Sequence, residues 1–292
     1  MILGLRLGGL GDGAQLAEKA ALDFVFLGDT DGAHDGPVGH DPLSVAAFLM
    51  TTTKRIGLAA SVADSWAPFN VARALASFDL LSGGRGGWMP LTAGPDADAA
   101  RSAEHLDVVR QLFDSWDDDA LVFDKANSIF ADRNKVRRIQ HSGAYFTVDG
   151  PLNAPRPSQG QPVLFQRLDA ATPFTDVALT DLADLRAATR KRVPASSTLL
   201  LAEVPVDLTS AGASEALVAR LTEAFTNGDC DGFLFAPTHP STDIARLADE
   251  VIPRLQAAGL AAKTYAAGDF RSRIGLPRPV NRFSGVAVHA ST

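Results

Sequence analysis

The stretch from Trp66 to Thr92, WAPFNVARALASFDLLSGGRGGWMPLT, decides how this chain folds. Pro68 suits the first turn of a helix. Apolar side chains then recur at the i, i+4, i+7 spacing of one helix face: Val71, Leu75 and Phe78. Gly83 and Gly84 adopt positive φ at little cost, so we expect the helix to end there and the chain to re-enter an extended run.

Extended runs flank this predicted helix on both sides. Residues 55–62, RIGLAASV, form a short and nearly apolar run of the kind that is buried on both faces of a parallel sheet. After the glycines, a second run passes through Trp88, Leu91 and Thr92. Strand, helix, glycine turn and strand together predict a βαβ unit.

The same alternation continues along the chain. Further strands are predicted at 2–7, 23–27, 162–166, 176–180, 198–204 and 231–236, although a short helical turn fits 176–180 almost as well. Helices are predicted to follow an Asp12 cap and at 43–53, 97–116, 181–191, 214–225 and 242–258. Eight strands alternating with helices of this length predict a (β/α)8 barrel of the TIM type.

Composition limits the class of protein. The 292 residues are 46% hydrophobic and carry a formal net charge of −7, which argues against nucleic acid as the main partner. The one cysteine, Cys230, excludes a disulfide within the chain and fits a reducing compartment. No run approaches the ~20 apolar residues of a membrane span, and the first residues do not resemble a signal peptide. We therefore expect a cytoplasmic protein with no membrane contact.

Two polar segments are candidates for binding sites. The basic run 133–138, RNKVRR, is interpreted as the solvated face of a long loop rather than as a phosphate site. The loop 30–41 contains four side chains that can ligate metals: His34, Asp35, His40 and Asp41. Their spacing lacks the fixed i, i+4 or Cx2C pattern that pre-organises a metal site, so we predict none.

Acids at strand ends are the first candidates for a pocket. Asp29 follows the strand 23–27, and the carboxyl ends of barrel strands form the active-site face. A turn or capping role explains Asp29 equally well. Glu203 lies inside an apolar strand, where an unpaired carboxylate is costly, so it should face the barrel mouth or meet an arginine. Asp79 and Arg85 are expected to pair around the glycine turn.

The motifs of this chain resemble those of the luciferase-like flavin monooxygenases. IGLxxS, PFNxAR and SFDxLSGGRxGW occur in that order. The segment 117–160 and its flanks carry DSWxxDA, FADxxKV, HxGxxFxVxGPL and QGxPV, which are similar to an insertion in the nitrilotriacetate and dibenzothiophene-sulfone monooxygenase branch. Such a segment is too long for an ordinary βα connection. The resemblance covers nearly the whole chain.

The resemblance implies a single luciferase-like barrel over 1–292, with the insertion 117–160 between strands 4 and 5 and a C-terminal tail at 262–292. It implies a homodimeric, two-component monooxygenase that takes reduced FMN from a separate reductase and uses O2 to oxygenate a small organic substrate. A flavin-free or weakly binding homologue, acting as a partner subunit or ligand-binding protein, is the alternative. A deazaflavin-dependent oxidoreductase fits the insertion less well. The cofactor performs the hard step, so no catalytic side chain is assigned.

The resemblance also assigns site residues. At the flavin it places Ser61, Trp88 and Thr92, together with Met89 where the family has an asparagine. The predicted substrate-pocket residues are Asp29, His40, Trp66 and Glu203. In the family, the loop after the second strand, which carries His40 here, borders that pocket. Ala99 takes the place of a tyrosine near the ring.

The largest departure follows the fifth strand. The family pattern QAGxSxxG cups the phosphate with backbone N–H groups at a helix start. This chain instead reads QRLDAATPFTD from Gln166, and about nine residues separate the two strands, too few for a helix and its loops. Gln166 and Arg167 complete the predicted cofactor-binding residues. Arg167 either forks onto the phosphate or is a surface arginine beside Asp169.

Overall fold

Eight parallel strands close into a barrel. The computed structural model describes residues 1–8, 11–30, 40–91, 98–191 and 197–284. Around the barrel the strand order is β1-β2-β3-β4-β9-β10-β11-β12, and β12 pairs with β1. The strands in chain order are β1 Ile2–Leu7, β2 Phe24–Leu27, β3 Gly57–Ala63, β4 Gly86–Leu91, β5 Leu121–Asp124, β6 Ile129–Ala131, β7 His141–Ser142, β8 Thr147–Val148, β9 Val163–Arg167, β10 Val177–Asp181, β11 Leu199–Val206 and β12 Gly232–Pro237. The predicted (β/α)8 barrel is confirmed, including the strand at β10.

Helices connect the barrel strands on the outside. They are α1 Gly13–Lys19, α2 Pro42–Thr52, α3 Pro68–Ser82, α4 Ala99–Phe113, α5 Leu185–Lys191, α6 Ala213–Thr226, α7 Pro240–Arg246, α8 Ile252–Ala257 and α9 Phe270–Arg273, with a π-helical turn at Leu247–Val251 between α7 and α8. As predicted, α3 begins at Pro68 and ends before Gly83, which has a φ of 71°. Asp12 occupies the N-cap position of α1, but its side chain makes no capping hydrogen bond.

Alternation along the strands separates two apolar layers. One set of side chains fills the barrel, including Phe24, Phe26, Ala59, Met89, Phe165, Leu179, Leu201 and Leu234. The other set faces the helices, including Val25, Leu58, Ala60, Trp88, Leu164, Leu200 and Phe233. Because neighbouring residues of a strand point to opposite faces, Met89 lies inside the barrel and Trp88 lies outside it.

A C-terminal segment closes the amino-terminal end of the barrel. The Phe270 ring lies 5.7 Å from the Phe24 ring and 6.5 Å from the Phe165 ring, centroid to centroid. A Cβ at Gly57 would lie 2.7 Å from the Phe270 ring, so the first residue of β3 has to be a glycine for this ring to fit. Arg271 is buried beside it and forms an ion pair with Asp176, with a shortest N···O distance of 2.5 Å.

The tail beyond α9 packs along the start of the insertion. Asn281 donates to the carbonyls of Asp114 and Trp116, at 3.0 and 2.9 Å. The residues from Gly275 to Ser284 form no helix or strand. Pro277 and Pro279 disfavour both, because proline has no backbone N–H to donate.

The glycine turn is held by partners that the sequence did not indicate. Asp79 accepts hydrogen bonds from Gly86 N at 3.1 Å and from the Gln159 amide nitrogen at 2.6 Å, and burial raises the pKa of its carboxyl group. Arg85 donates to backbone carbonyls, Met50 O among them, and to Thr53 Oγ1. The predicted pair between Asp79 and Arg85 is wrong, because each side chain finds its partners on a different side of the turn.

The insertion consists of two hairpins, β5-β6 and β7-β8. Its basic residues bond to acids of the same segment: Arg137 to Asp117, Lys135 to Asp119 and Arg138 to Asp149, each with an N···O distance of 2.5 to 2.8 Å. Glu104 of α4 anchors the second hairpin by accepting from His141 Nε2 and Phe146 N, both at 2.9 Å. Three of the four basic side chains in the run 133–138 are thus paired with acids of their own segment.

The fifth βα unit is shortened, as predicted. Between β9 and β10 the chain forms a single 3-10 turn at Leu168–Ala170. The Gln166 side chain ties this connection together, since its Oε1 accepts from Thr172 and Thr175 at 2.9 and 2.6 Å. Its Nε2 donates to Ala170 O at 3.1 Å. This turn stands where a helix would otherwise connect two strands of the barrel.

Candidate functional site

Polar side chains replace apolar ones at the carboxyl ends of several strands. Ser61 lies two residues beyond Ala59 of the interior layer, Arg167 two beyond Phe165, and Glu203 two beyond Leu201. Since side chains two positions apart share a face, these groups point toward the barrel axis at the carboxyl ends of the strands, which we call the rim. A layer of polar side chains therefore covers the apolar interior of the barrel at this end.

Glu203 is the centre of a charged group that we call the rim cluster: Arg6, Thr30, Arg167, Asp181 and Glu203. Arg6 donates to Glu203 Oε1 at 2.8 Å, and the Thr30 hydroxyl donates to Oε2 at 2.7 Å. Arg167 NH1 lies 3.5 Å from Oε2, and its NH2 donates to Asp181 at 2.9 Å. Glu203 is buried, whereas the Arg6 side chain is 36% exposed.

Strand register explains why these groups meet. Asp181 of β10 pairs with Glu203 of β11, and Leu179 of β10 pairs with Arg167 of β9. Arg167, Asp181 and Glu203 thus lie on three adjacent strands, and Arg6 reaches Glu203 from β1, on the far side of β12. The charges of the two arginines and two acids cancel. The prediction that Glu203 meets an arginine is confirmed. Arg167 bonds to Asp181 and Glu203 rather than to Asp169, the neighbour named in the surface alternative.

Ser61 reaches the end of β2 because Gly28 has no side chain. A Cβ at Gly28, which has a φ of 92°, would lie 2.0 Å from the Ser61 hydroxyl oxygen. Across the sheet, Ser61 pairs with Met89 of β4. A hydroxyl and a thioether therefore lie side by side at the rim, where the resemblance predicted a hydroxyl and an amide.

Two other predicted flavin contacts lie away from this layer. Trp88 is buried on the helix side of β4, so its ring does not face the rim. The Gln166 amide is bonded within the β9-β10 connection. Thr92 lies outside the described residues. Of the predicted flavin contacts, Ser61, Met89 and Arg167 are brought to one end of the barrel, and the roles of all six stay predictions.

Three of the predicted substrate-pocket residues follow the carboxyl ends of β2 and β3, and the fourth, Glu203, lies within β11. Asp29 is half-buried just after β2, and His40 is exposed before α2. Trp66 is 42% exposed after β3, and its carbonyl oxygen lies 2.9 Å from His105 Nε2. Only Glu203 of this set belongs to the rim cluster. Whether the others contact a substrate stays a prediction.

Asp41, the last residue of the polar loop 30–41, has a structural role. Asp41 caps α2, because its Oδ2 accepts from both the amide and the hydroxyl of Ser44 at 2.7 Å. His34 and Asp35 lie outside the described residues. Among the residues that the structure describes, no group of three His, Cys, Asp or Glu side chains is placed to hold a metal ion.

Sequence reasoning missed Arg6, Thr30 and Asp181. Arg6 carried a usable signal, because a cation inside the strand ILGLRL has to find a counter-charge when that strand is buried. Thr30 and Asp181 carried none, since a threonine after a strand and an aspartate before a helix are common turn residues. Register, which brings Asp181 beside Glu203, is not visible in the residues alone.

The residues after β9 do not fit an FMN phosphate in the mode that the resemblance implies. That mode needs free backbone N–H groups at the start of a helix. Here Ala171 N is bonded to Leu168 O at 3.3 Å, and Thr172 N to Thr175 Oγ1 at 2.8 Å. The Arg167 guanidinium is shared between two carboxylates. Within the described ranges, a hydroxyl suited to the ring is present at Ser61, and the phosphate cradle is absent after β9.

A closed barrel of eight parallel strands with helices around it defines the TIM-barrel class, whose active sites lie at the carboxyl ends of the strands. Within that class, the family profile described as Luciferase-like monooxygenase matches residues 5–272. The chain therefore belongs to the luciferase-like monooxygenase family. None of the helices among the described residues is both long and apolar enough to cross a membrane.

Several relatives share extended similarity with this chain. It is 33% identical over 283 residues to one of the subunits of pristinamycin IIA synthase from Streptomyces pristinaespiralis, covering 94% of this chain and 91% of that protein. It is 36% identical over 184 residues to dibenzothiophene-sulfone monooxygenase of Rhodococcus erythropolis, covering 52% and 41%. The match to nitrilotriacetate monooxygenase component A of Aminobacter aminovorans, 33% over 183 residues, covers 51% and 40%. The latter two matches span less than half of those proteins.

Solved structures share the fold over nearly the full length. EDTA monooxygenase from Chelativorans sp. BNC1 superposes with a TM-score of 0.77 and 23% identity, covering 95% of this chain and 99% of that one. Riboflavin lyase, solved with modified FMN and its substrate riboflavin, superposes with a TM-score of 0.82 and 23% identity, covering 97% of each chain. At this identity the likeness shows the fold.

Proposed function

We propose that this chain acts in a two-component, FMN-dependent monooxygenase, which takes reduced FMN from a separate reductase and uses O2 to oxygenate a small organic substrate. The observation that carries the proposal is the rim cluster, a set of charged groups fixed at the carboxyl end of a luciferase-like barrel. Family membership over residues 5–272 supports the same reaction class.

The residues at the rim suit ligand binding in two ways. Below Ser61 and Glu203 the barrel is filled by Phe26, Phe165 and Leu201, so water is excluded from beneath a bound molecule. Above them, the Glu203 carboxylate holds the Arg6 guanidinium and the Thr30 hydroxyl in place before any ligand arrives. When bound, FMN supplies the activation of oxygen, and the protein supplies orientation and a dry wall.

A second candidate function is favoured by the shortened fifth βα unit. Without a phosphate cradle after β9, the barrel would bind flavin weakly and serve as the partner of a flavin-binding chain. A relative whose match covers 94% of this chain is named as a subunit of a synthase. In this case the charged rim would contribute to a shared assembly rather than to a complete flavin site.

Direct flavin titration decides between the two functions. The purified protein is titrated with oxidised FMN in air and with reduced FMN without oxygen, by calorimetry and flavin fluorescence. Saturable binding with a dissociation constant on the order of micromolar supports the enzyme that binds its own flavin. No binding up to about 1 mM flavin refutes it and supports the role of a partner in a larger assembly.

A pair of variants tests whether such binding occurs at the rim. Ser61→Ala removes the buried hydroxyl at the end of β3 and should weaken flavin binding about fivefold or more, as expected for one lost hydrogen bond. Ser77→Ala is the matched control, because the Ser77 hydroxyl bonds to Arg73 O on α3. Equal flavin affinity in both variants would place the flavin away from Ser61.

We also propose that residues 1–292 form one domain and that the flavin-binding enzyme works as a homodimer with a separate reductase. Sedimentation of the purified chain tests this assembly. A dimer at micromolar concentration supports the homodimer. A monomer that dimerises only with a second luciferase-like chain contradicts it and supports the second candidate function.

A further inference from the structure

The shortened β9-β10 connection borders a cavity on the outer side of the barrel. Its volume is about 190 Å³. Trp88, Phe113 and Leu164 provide apolar walls, and Arg110, Gln161, Asp176 and Arg271 provide polar ones. Gln161 and Asp176 immediately precede β9 and β10, so the cavity lies at the amino-terminal end of these strands. The rim cluster lies at the opposite end.

Arg110 of α4 is only partly satisfied in this cavity. Its Nε donates to Gln161 Oε1 at 3.0 Å, and its guanidinium carbon lies 3.7 Å from the centre of the Phe174 ring. Its NH1 is buried with no hydrogen-bond partner among the described residues. A buried guanidinium nitrogen without an acceptor is unfavourable, and it favours a ligand that brings one.

Nearby acids do not cancel the charge of Arg110, because they bond elsewhere. Asp176 is held by two nitrogens of Arg271, at 2.7 and 2.5 Å. Asp107 accepts from Gln111 at 2.7 Å and from Arg282 at 3.1 Å. The walls of the cavity therefore carry a net positive charge beside an apolar surface.

We propose that this cavity binds a small carboxylate with an aromatic or branched aliphatic body. The carboxylate binds the Arg110 guanidinium, and the hydrocarbon body packs against Trp88, Phe113 and Leu164. Arginine prefers planar anions that offer two oxygens. Size agrees, since a cavity of about 150 Å³ accommodates benzene and this one is slightly larger. The site is separate from the rim and does not depend on the proposed function.

Benzoate is the probe for this proposal. Calorimetry and ligand-observed NMR of the full chain should show saturable benzoate binding with a dissociation constant on the order of 1 mM. Benzamide, the neutral analogue of the same shape, should bind about tenfold more weakly, as expected when a charge-assisted bond is lost. Equal binding of the two probes, or no saturation up to about 20 mM benzoate, would overturn the proposal.

Two arginine variants of α4 localise the binding. Arg110→Gln should lower benzoate affinity about tenfold or more. Arg101→Gln is the matched control, because Arg101 lies on the same helix over the Phe146 ring but outside the cavity, and it should leave affinity unchanged. If Arg110→Gln fails to fold, Phe174→Leu, which alters an exposed wall residue, replaces it with a smaller expected loss. Unchanged affinity in the folded cavity variant would refute the site.

Discussion

Replacing Glu203 by glutamine tests whether the rim cluster is as closely coupled as its distances indicate. Glutamine keeps the size of the side chain but removes its charge. It also puts an N–H2 group where Oε1 or Oε2 accepts from Arg6 and Thr30. The cluster, which is neutral with two arginines and two acids, would gain a net positive charge.

The expected loss follows from the individual contacts. The buried bond from the Thr30 hydroxyl to the carboxylate contributes about 1.5 kcal/mol, as is usual for a bond to a charged group. The bond from Arg6 contributes about 0.5–1 kcal/mol, because the Arg6 side chain is 36% exposed and solvent screens its charge. We therefore expect Glu203→Gln to lower the free energy of unfolding by about 2 kcal/mol.

Urea denaturation followed by circular dichroism measures this loss. Glu215→Gln is the control, because Glu215 pairs with Arg254 at 2.6 Å on the exposed surface, where removing a charge should change stability by no more than about 0.5 kcal/mol. A Glu203 variant as stable as this control would refute the idea that the cluster is pre-organised by a buried carboxylate.

Three further predictions concern the frame that holds the rim. Burial raises the pKa of Asp23 to about 6 from an ordinary 3.8, so the folded state binds this proton more tightly than the unfolded state does. The free energy of unfolding should therefore be unaffected by the ionisation of this group below about pH 4. It should fall by up to about 3 kcal/mol as the pH rises from 4 to 6. Asp23→Asn should flatten that slope in unfolding measurements between pH 4 and 7, and an unchanged slope would contradict the assignment. Asp79→Ala should cost about 3–4 kcal/mol in thermal or urea unfolding, because it leaves buried donors of the glycine turn and of Gln159 without an acceptor; a loss below about 1 kcal/mol would show that the turn does not depend on them. Gly28→Ala should cost about 3 kcal/mol, since its Cβ would lie 2.0 Å from the Ser61 hydroxyl at a positive φ, and Ser61→Gly in the same chain should recover about half of it in a double-mutant cycle. Additive losses in that cycle would mean that the two residues do not touch.

Most of the barrel follows from local patterns. The helix from Pro68 to Gly83 was predictable because a proline, an apolar stripe and a glycine all indicate the same boundaries. The short apolar runs predicted the barrel strands for the same reason. The closure of the barrel floor was not predictable, because Phe270 reaches β3 only through contacts between residues far apart in sequence.

Prediction of the site was less complete. Glu203 was identified by its cost as a lone acid in an apolar strand, and the structure supplies Arg6, 197 positions away, as its partner. Asp79 and Arg85 were paired because they are close in sequence, whereas Gln159, 80 positions away, satisfies Asp79. Charge patterns show that a residue needs a partner, and only the three-dimensional register shows which one.

The closure of the amino-terminal end of the barrel by α9 has a consequence for biosynthesis. Phe270 completes the aromatic packing with Phe24 and Phe165, yet it leaves the ribosome after every strand of the barrel has been translated. Until then the amino-terminal end of the barrel is open, and its aromatic rings are exposed to water. Released chains that end before residue 270 should therefore be recognised by chaperones that bind exposed aromatic surface, while chains that end after α9 should escape them.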